Sequence, residues 1–212
     1  MNSPIWITTS RIDMWLGLLG RLNSSERAFH NFLEAHGTQG EITLARRSVR
    51  EIFAQDPSEG VIATIIWSHE RGIRVNALSL LVRDMPTLVT LMSIADFGYQ
   101  ELNELLALPG ISVPTASKML SATGKTFCGL PAAIIDDTII QVIENTSFAG
   151  DFPNVAKLRH KSRSRPVPYY EAYLRDISDI CEKHNLSPDL MDRYLAEHAL
   201  DDMTSEIKLA SA

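Results

Sequence analysis

The sequence predicts an all-α fold, and three observations carry that prediction. Apolar residues recur at three- and four-residue spacing in one segment after another, the period of helices with a single buried face. Between those segments stand helix punctuation marks: Gly37 and the pair Asp56-Pro57 as stops, Ser187-Pro188 as a start. No two alternating segments joined by a turn read as a convincing pair of strands.

Length and composition bound the answer. At 212 residues, 45% of them apolar, with a mean hydropathy of −0.03, the chain suits one good-sized domain or two small lobes sharing a core. No apolar run approaches the length of a membrane span, and the first residues lack the basic-then-apolar layout of a signal peptide, so cytoplasm and no membrane partner are expected. The two cysteines, Cys128 and Cys181, are too few and too far apart for a disulfide framework or a zinc motif, so no metal and no cofactor are expected. A net charge of −6 and a pI of about 5.5 argue against strong non-specific affinity for nucleic acid, which rests on Lys and Arg neutralising phosphates. Any role on DNA must use a local basic face.

Taken in order, residues 1–22 hold Ile12, Trp15, Leu16 and Leu19, a short helix after an irregular start. Ser24 or Ser25 is placed to cap a second helix whose buried stripe is Phe29, Phe32 and Leu33. The third carries Arg46, Arg47 and Arg50, read as a solvated face. From Val61 to Trp67 the chain is almost continuously apolar, which marks a central buried helix. A polar turn, His69 to Gly72, leads to a helix near Val75, and Pro86 opens another. Ile134 and Ile135 enter a further buried helix through Asp136 and Asp137. Residues 151–168 lack apolar periodicity but gather Lys157, Arg159, Lys161, Arg163 and Arg165: a basic surface loop, or an arm that contacts phosphates. Two helices follow, then a tail. The organisation predicted is therefore N-terminal helices at 1–55 packing with C-terminal helices at 169–204, a central lobe at 56–150, the basic loop at 151–168 and a tail at 205–212.

The chain is organised around Glu104 to Ala122, which reads as helix, tight hairpin, helix. Leu102, Leu105 and Leu106 share one helical face. Pro109 ends that helix, and Gly110 admits the positive φ of a tight reversal. A second helix begins near Val113, with Pro114 tolerated in its first turn. Such a hairpin leaves backbone N–H groups near Gly110, Ile111 and Ser112 beside a helix N-terminus, where an anion such as a DNA phosphate fits. An ordinary αα-corner has the same spacing.

The stretch LPGISVPTA resembles the helix-hairpin-helix motif, LPGxGxxTA, of the endonuclease III / 8-oxoguanine glycosylase superfamily of DNA glycosylases, with Ser112 at the second glycine. The resemblance implies two helical lobes with the helix-hairpin-helix unit at about 99–122, and duplex DNA as partner. It places Pro109, Gly110, Ile111, Ser112, Val113 and Thr115 against the phosphate backbone. VIATIIWSHERGIRVNAL is similar to the superfamily's apolar helix and following turn, and puts His69 where a side chain fills the gap left by an extruded base. Arg159, Lys161 and Arg163 complete the expected DNA face. The run IDDTIIQV is similar to VDxHxxxV and places Asp136 on the superfamily's catalytic aspartate.

A carboxylate there has a chemical purpose, because breaking an N-glycosidic bond leaves positive charge on the sugar. An N-cap is the structural use of the same residue. One departure is sharp: members that also cut the strand carry a lysine four residues after the first hairpin glycine, and here that residue is Pro114. The expectation is a monofunctional DNA N-glycosylase without Schiff-base chemistry. The alternatives are a glycosylase fold that binds nucleic acid without turnover, or one turned to a protein partner, as in a phage-defence system.

Overall fold

The computed structural model describes residues 7–21, 27–69, 72–145 and 150–195; the cap expected at Ser24 or Ser25 and the C-terminal tail lie outside them. The described chain is mainly helical with two small sheets. The first departure from the all-α expectation is an antiparallel pair, β1 (Ile7–Arg11) and β2 (Glu41–Ala45), in register from Ile7↔Ala45 to Arg11↔Glu41. Its inward residues explain why it escaped notice. β2 buries Ile42 and Leu44, but β1 buries Thr8 and Ser10, so no apolar alternation marks that strand. The Thr8 hydroxyl instead donates to the Trp67 carbonyl at 2.9 Å.

Between the strands lie α1 (Ile12–Leu19) and α2 (Arg27–His36); α3 (Arg46–Gln55) and α4 (Pro57–Ser68) follow. Asp56 starts α4, its carboxylate accepting from the amides of Ser58 and Glu59. Every residue from Gly60 to Trp67 is buried, as the apolar run predicts, and α4 packs against α3, α6, α8 and β1. Gly60 is needed for that approach, since a Cβ there would lie 2.3 Å from Phe53 Cα.

Next come α5 (Val75–Arg83), α6 (Met85–Met92), β3 (Asp96–Phe97), α7 (Tyr99–Ala107) and α8 (Val113–Ala122). β4 (Thr126–Phe127) and β5 (Leu130–Pro131) join β3 in a second sheet of two-residue strands, too short for periodicity to reveal. A strap over 132–136 that belongs to no helix or strand, buried from 132 to 135, leads into α9 (Asp137–Asn145). α10 (Pro153–Ala156), α11 (Pro166–His184) and a helical segment over 188–195, termed α12, complete the fold. No single described helix is long and apolar enough to cross a membrane.

Arg46 corrects a sequence expectation. It is 3% exposed rather than solvated, and donates to Asp192 of α12 at 3.0 Å. It also meets Asp189 at 2.9 Å and bonds the Ser121 hydroxyl. Its partners lie up to 146 positions away, beyond the reach of local pattern.

A candidate nucleic-acid interface and its cavity

The hairpin between α7 and α8 closes as a type II turn. The Ile111 N–H donates to the Leu108 carbonyl at 3.1 Å, Pro109 sits at the second position and Gly110 takes φ +84° at the third. Gly110 also packs closely on the start of the next layer: a Cβ would lie 2.9 Å from Ile73 Cδ1 and 3.1 Å from Ala77 Cβ. Ser112 then precedes α8 without capping it, and its hydroxyl lies 3.3 Å from that of Thr115. The first turn of α8 thus has no side-chain cap.

Two of the residues expected on DNA are engaged within the fold. The Ile111 amide is engaged within the turn and its side chain is buried, because the turn needs that bond to close. Thr115 is only 8% exposed, facing Ser112 across the first helical turn. Gly110 and Ser112 are exposed, and Pro109 and Val113 are half-buried.

His69 stands at the C-terminal end of α4. Its Nδ1 lies 3.0 Å from the Ile65 carbonyl oxygen. The side chain turns back onto the last turn of α4, where the resemblance placed a projecting gap-filler. Burial, with the nearby Lys118 ammonium, holds its pKa below the usual histidine range.

The acids reach the site on the strap over 132–136, whose backbone is held from three helices. Asp192 of α12 accepts from the Ile134 N–H at 3.1 Å. The hydroxyls of Tyr173 and Tyr170 on α11 donate to the carbonyls of Ile134 at 2.8 Å and Ala133 at 3.1 Å. The Ser117 hydroxyl on α8 accepts from the Ile135 N–H at 3.1 Å and lies 2.9 Å from the Pro114 carbonyl. The helix that follows the hairpin therefore fixes the residue immediately before Asp136. Ser117→Ala would leave the Ile135 N–H buried without that acceptor. A loss of about 1–3 kcal/mol in denaturant unfolding is the expected result.

Asp136 caps α9: its Oδ1 accepts from the Ile139 N–H at 2.9 Å. Its neighbour Asp137 is exposed and faces a cavity of about 440 Å³. That cavity is walled by hairpin residues Ile111 to Pro114, by Ile135 and Asp137, and by Ser162 and Arg163 of the basic segment. Pro166 and Tyr169 of α11 close it. Asp137, one residue after the acid that the resemblance singles out, thus borders this cavity. Trp67 and Phe97 are 3% and 0% exposed in the core and do not line it.

The basic segment is an ordered structure rather than a plain loop. Asp176 on α11 accepts from the amides of Asn154 and Val155 at the start of α10. Glu144, at the end of α9, accepts from the His160 N–H at 3.0 Å, the His160 Nδ1 at 2.9 Å and the Tyr169 hydroxyl at 2.9 Å. These buried carboxylates pin the backbone while Lys157, Arg159, Lys161, Arg163 and Arg165 stay exposed. Among the described residues none of the four cations from Arg159 to Arg165 forms an ion pair. The described residues hold no cluster of acids, histidines and cysteines suited to a metal. No protein-family model, curated protein or solved structure matches the chain.

Proposed function

We propose that the protein binds duplex DNA through the hairpin and the basic segment, and admits an extruded nucleotide to the cavity between them for hydrolysis of its N-glycosidic bond. One observation carries this reading: hairpin residues, Asp137 at the N-terminus of α9, and Arg163 meet around a single cavity of about 440 Å³. That volume falls within the range of small-ligand sites. A flipped base leaves the stack at the expense of a few kcal/mol and needs such a receptacle.

In the reaction the bond between C1′ and the base nitrogen breaks, a water oxygen bonds to C1′, and a water proton leaves with the base. A carboxylate beside the sugar stabilises the positive charge that develops there. Asp137 borders the cavity and Asp136 stands next to it at the head of α9. Pro114, also in the cavity wall, offers no amine, so no Schiff base forms and the product is an intact strand with an abasic site.

The test is a panel of duplexes carrying different damaged or modified bases, assayed for abasic-site formation with the parent, Asp136→Asn and Asp137→Asn. Asparagine caps a helix about as well as aspartate, so Asp136→Asn keeps α9 while removing the charge. Loss of base release in one variant assigns the role to that residue. Equal release by all three proteins would remove both acids from the mechanism. A second reading, DNA binding without turnover, is favoured by the engagement of Asp136 as a cap and by Pro114 at the nucleophile position. It predicts salt-sensitive duplex binding and no base release from any member of the panel.

A further inference from the structure

The cavity beside the hairpin is divided by polarity. Its interior is apolar: Ile111, Ile135 and Tyr169 are buried, and Leu106, Val113 and Ile140 are half-buried. The Tyr169 hydroxyl is already committed, donating to the Glu144 carboxylate at 2.9 Å. The charges stand at the mouth instead, where Asp137 and Arg163 are both exposed. They are of opposite sign, and among the described residues neither forms an ion pair, with the other or elsewhere. Ordered backbone brings Arg163 there. The Lys161 N–H donates to the Leu158 carbonyl at 2.9 Å and the Arg165 N–H to the Lys161 carbonyl at 2.8 Å. Pro166, itself in the cavity wall, then opens α11. Arg159 and Lys161, equally exposed on the same segment, do not line the cavity.

A nucleotide has the same division. Its base presents two apolar faces, while its phosphate carries a charge that an apolar interior accepts only at a large desolvation cost. The base therefore enters and the phosphate stays at the mouth. There Asp137 repels it and Arg163 attracts it, with a planar guanidinium able to hold two phosphate oxygens at once. We propose that Arg163 binds the phosphate of the extruded nucleotide and, opposed by Asp137, sets which way that nucleotide lies across the mouth. The inference rests on the extrusion reading above and adds to it a contact made only once the nucleotide has left the stack. As a cation of the basic segment Arg163 also attracts any duplex, so the two contributions have to be separated.

The experiment compares two duplexes at one moderate salt concentration, with the full-length parent, Arg163→Gln and Arg159→Gln. In the first duplex one nucleotide faces a tetrahydrofuran abasic analogue, so it is unpaired and leaves the stack at little cost. In the second the same nucleotide is paired, and each natural base is tried in turn. The parent is expected to prefer the unpaired nucleotide. Both variants are expected to bind the paired duplex more weakly by similar factors, each having lost one cation. Arg163→Gln is expected to lose a further factor of about ten on the unpaired duplex, the scale of one charge-assisted hydrogen bond. Arg159→Gln is expected to keep the parent's preference. A preference retained by Arg163→Gln, or lost equally by both variants, overturns the assignment of the phosphate to Arg163 and leaves the extrusion reading intact. A parent that binds both duplexes alike whatever the base, or binds neither, overturns the extrusion reading and the inference with it.

Discussion

Asp192→Ala is expected to lower the free energy of unfolding by about 3–5 kcal/mol, the range for removing one partner of a buried ion pair. Asp192 is fully buried, and its carboxylate accepts from the Arg46 guanidinium at 3.0 Å and from the Ile134 N–H at 3.1 Å. Alanine would strand the Ile134 N–H and take from Arg46 its buried counter-charge. Arg46 is itself 3% exposed and keeps Asp189 as a partner, which lies nearer the surface. Urea unfolding monitored by circular dichroism checks the figure. A loss below about 1 kcal/mol, the scale of an exposed pair, would show that the Arg46–Asp192 contact does not hold α12 to α3.

The same carboxylate makes a prediction about pH. Burial pushes its pKa up to about 7 against the pull of Arg46 and the Ile134 amide. A folded-state pKa above the unfolded value of 3.8 means that the native state binds the proton more readily. The contribution is therefore most favourable at low pH and is lost as pH rises from about 4 through about 7. Asp192→Asn has no proton to lose there, so its stability deficit relative to the parent is expected to narrow over that window and level off above it. Loss of Asp192 also frees one end of the strap that delivers Asp136 and Asp137, so fold and site share this anchor.

What local pattern could convey, it conveyed. Pro109 and Gly110 announce the type II turn, because one presets φ and the other alone accepts +84° without strain. The continuous apolar run from Val61 to Trp67 announces the central helix. Three features were hidden for different physical reasons. β1 faces the core with hydroxyls, so its alternation is chemical rather than apolar. Arg46 looks like one of three surface arginines until Asp189 and Asp192 arrive from the far end of the chain. The basic segment has no periodicity of its own because Asp176 and Glu144, on other helices, hold its backbone.

The site divides in the same way. That acids head the helix after the hairpin is legible; which acid caps and which borders the cavity is a one-residue register decided by the Ile139 amide bonding Asp136. Ser117 carried no signal at all. It is a small residue on the face of α8, and only the fold brings the Ile135 backbone to it.

The second large effect concerns that basic segment, and it separates a charged arm from a chain that is merely acidic. Replacing Arg159, Lys161 and Arg163 together by glutamine is expected to weaken duplex binding on the order of a hundredfold at moderate salt, and to reduce the slope of log affinity against log salt by about 2.7. The slope follows from about 0.9 released counterions for each phosphate that a cation neutralises. All three side chains are exposed and form no ion pair among the described residues, so the fold is expected to survive intact. The anchors beneath them are backbone and His160 contacts to Glu144 and Asp176, which the triple substitution leaves in place. On the proposed DNA-binding reading the net charge of −6 on the chain opposes the duplex, and these cations would carry a larger share of the electrostatic attraction than they would on a basic protein. Fluorescence anisotropy across a salt series reads both quantities. An unchanged slope would mean that the phosphates lie elsewhere, and the hairpin would then have to hold the duplex without this arm.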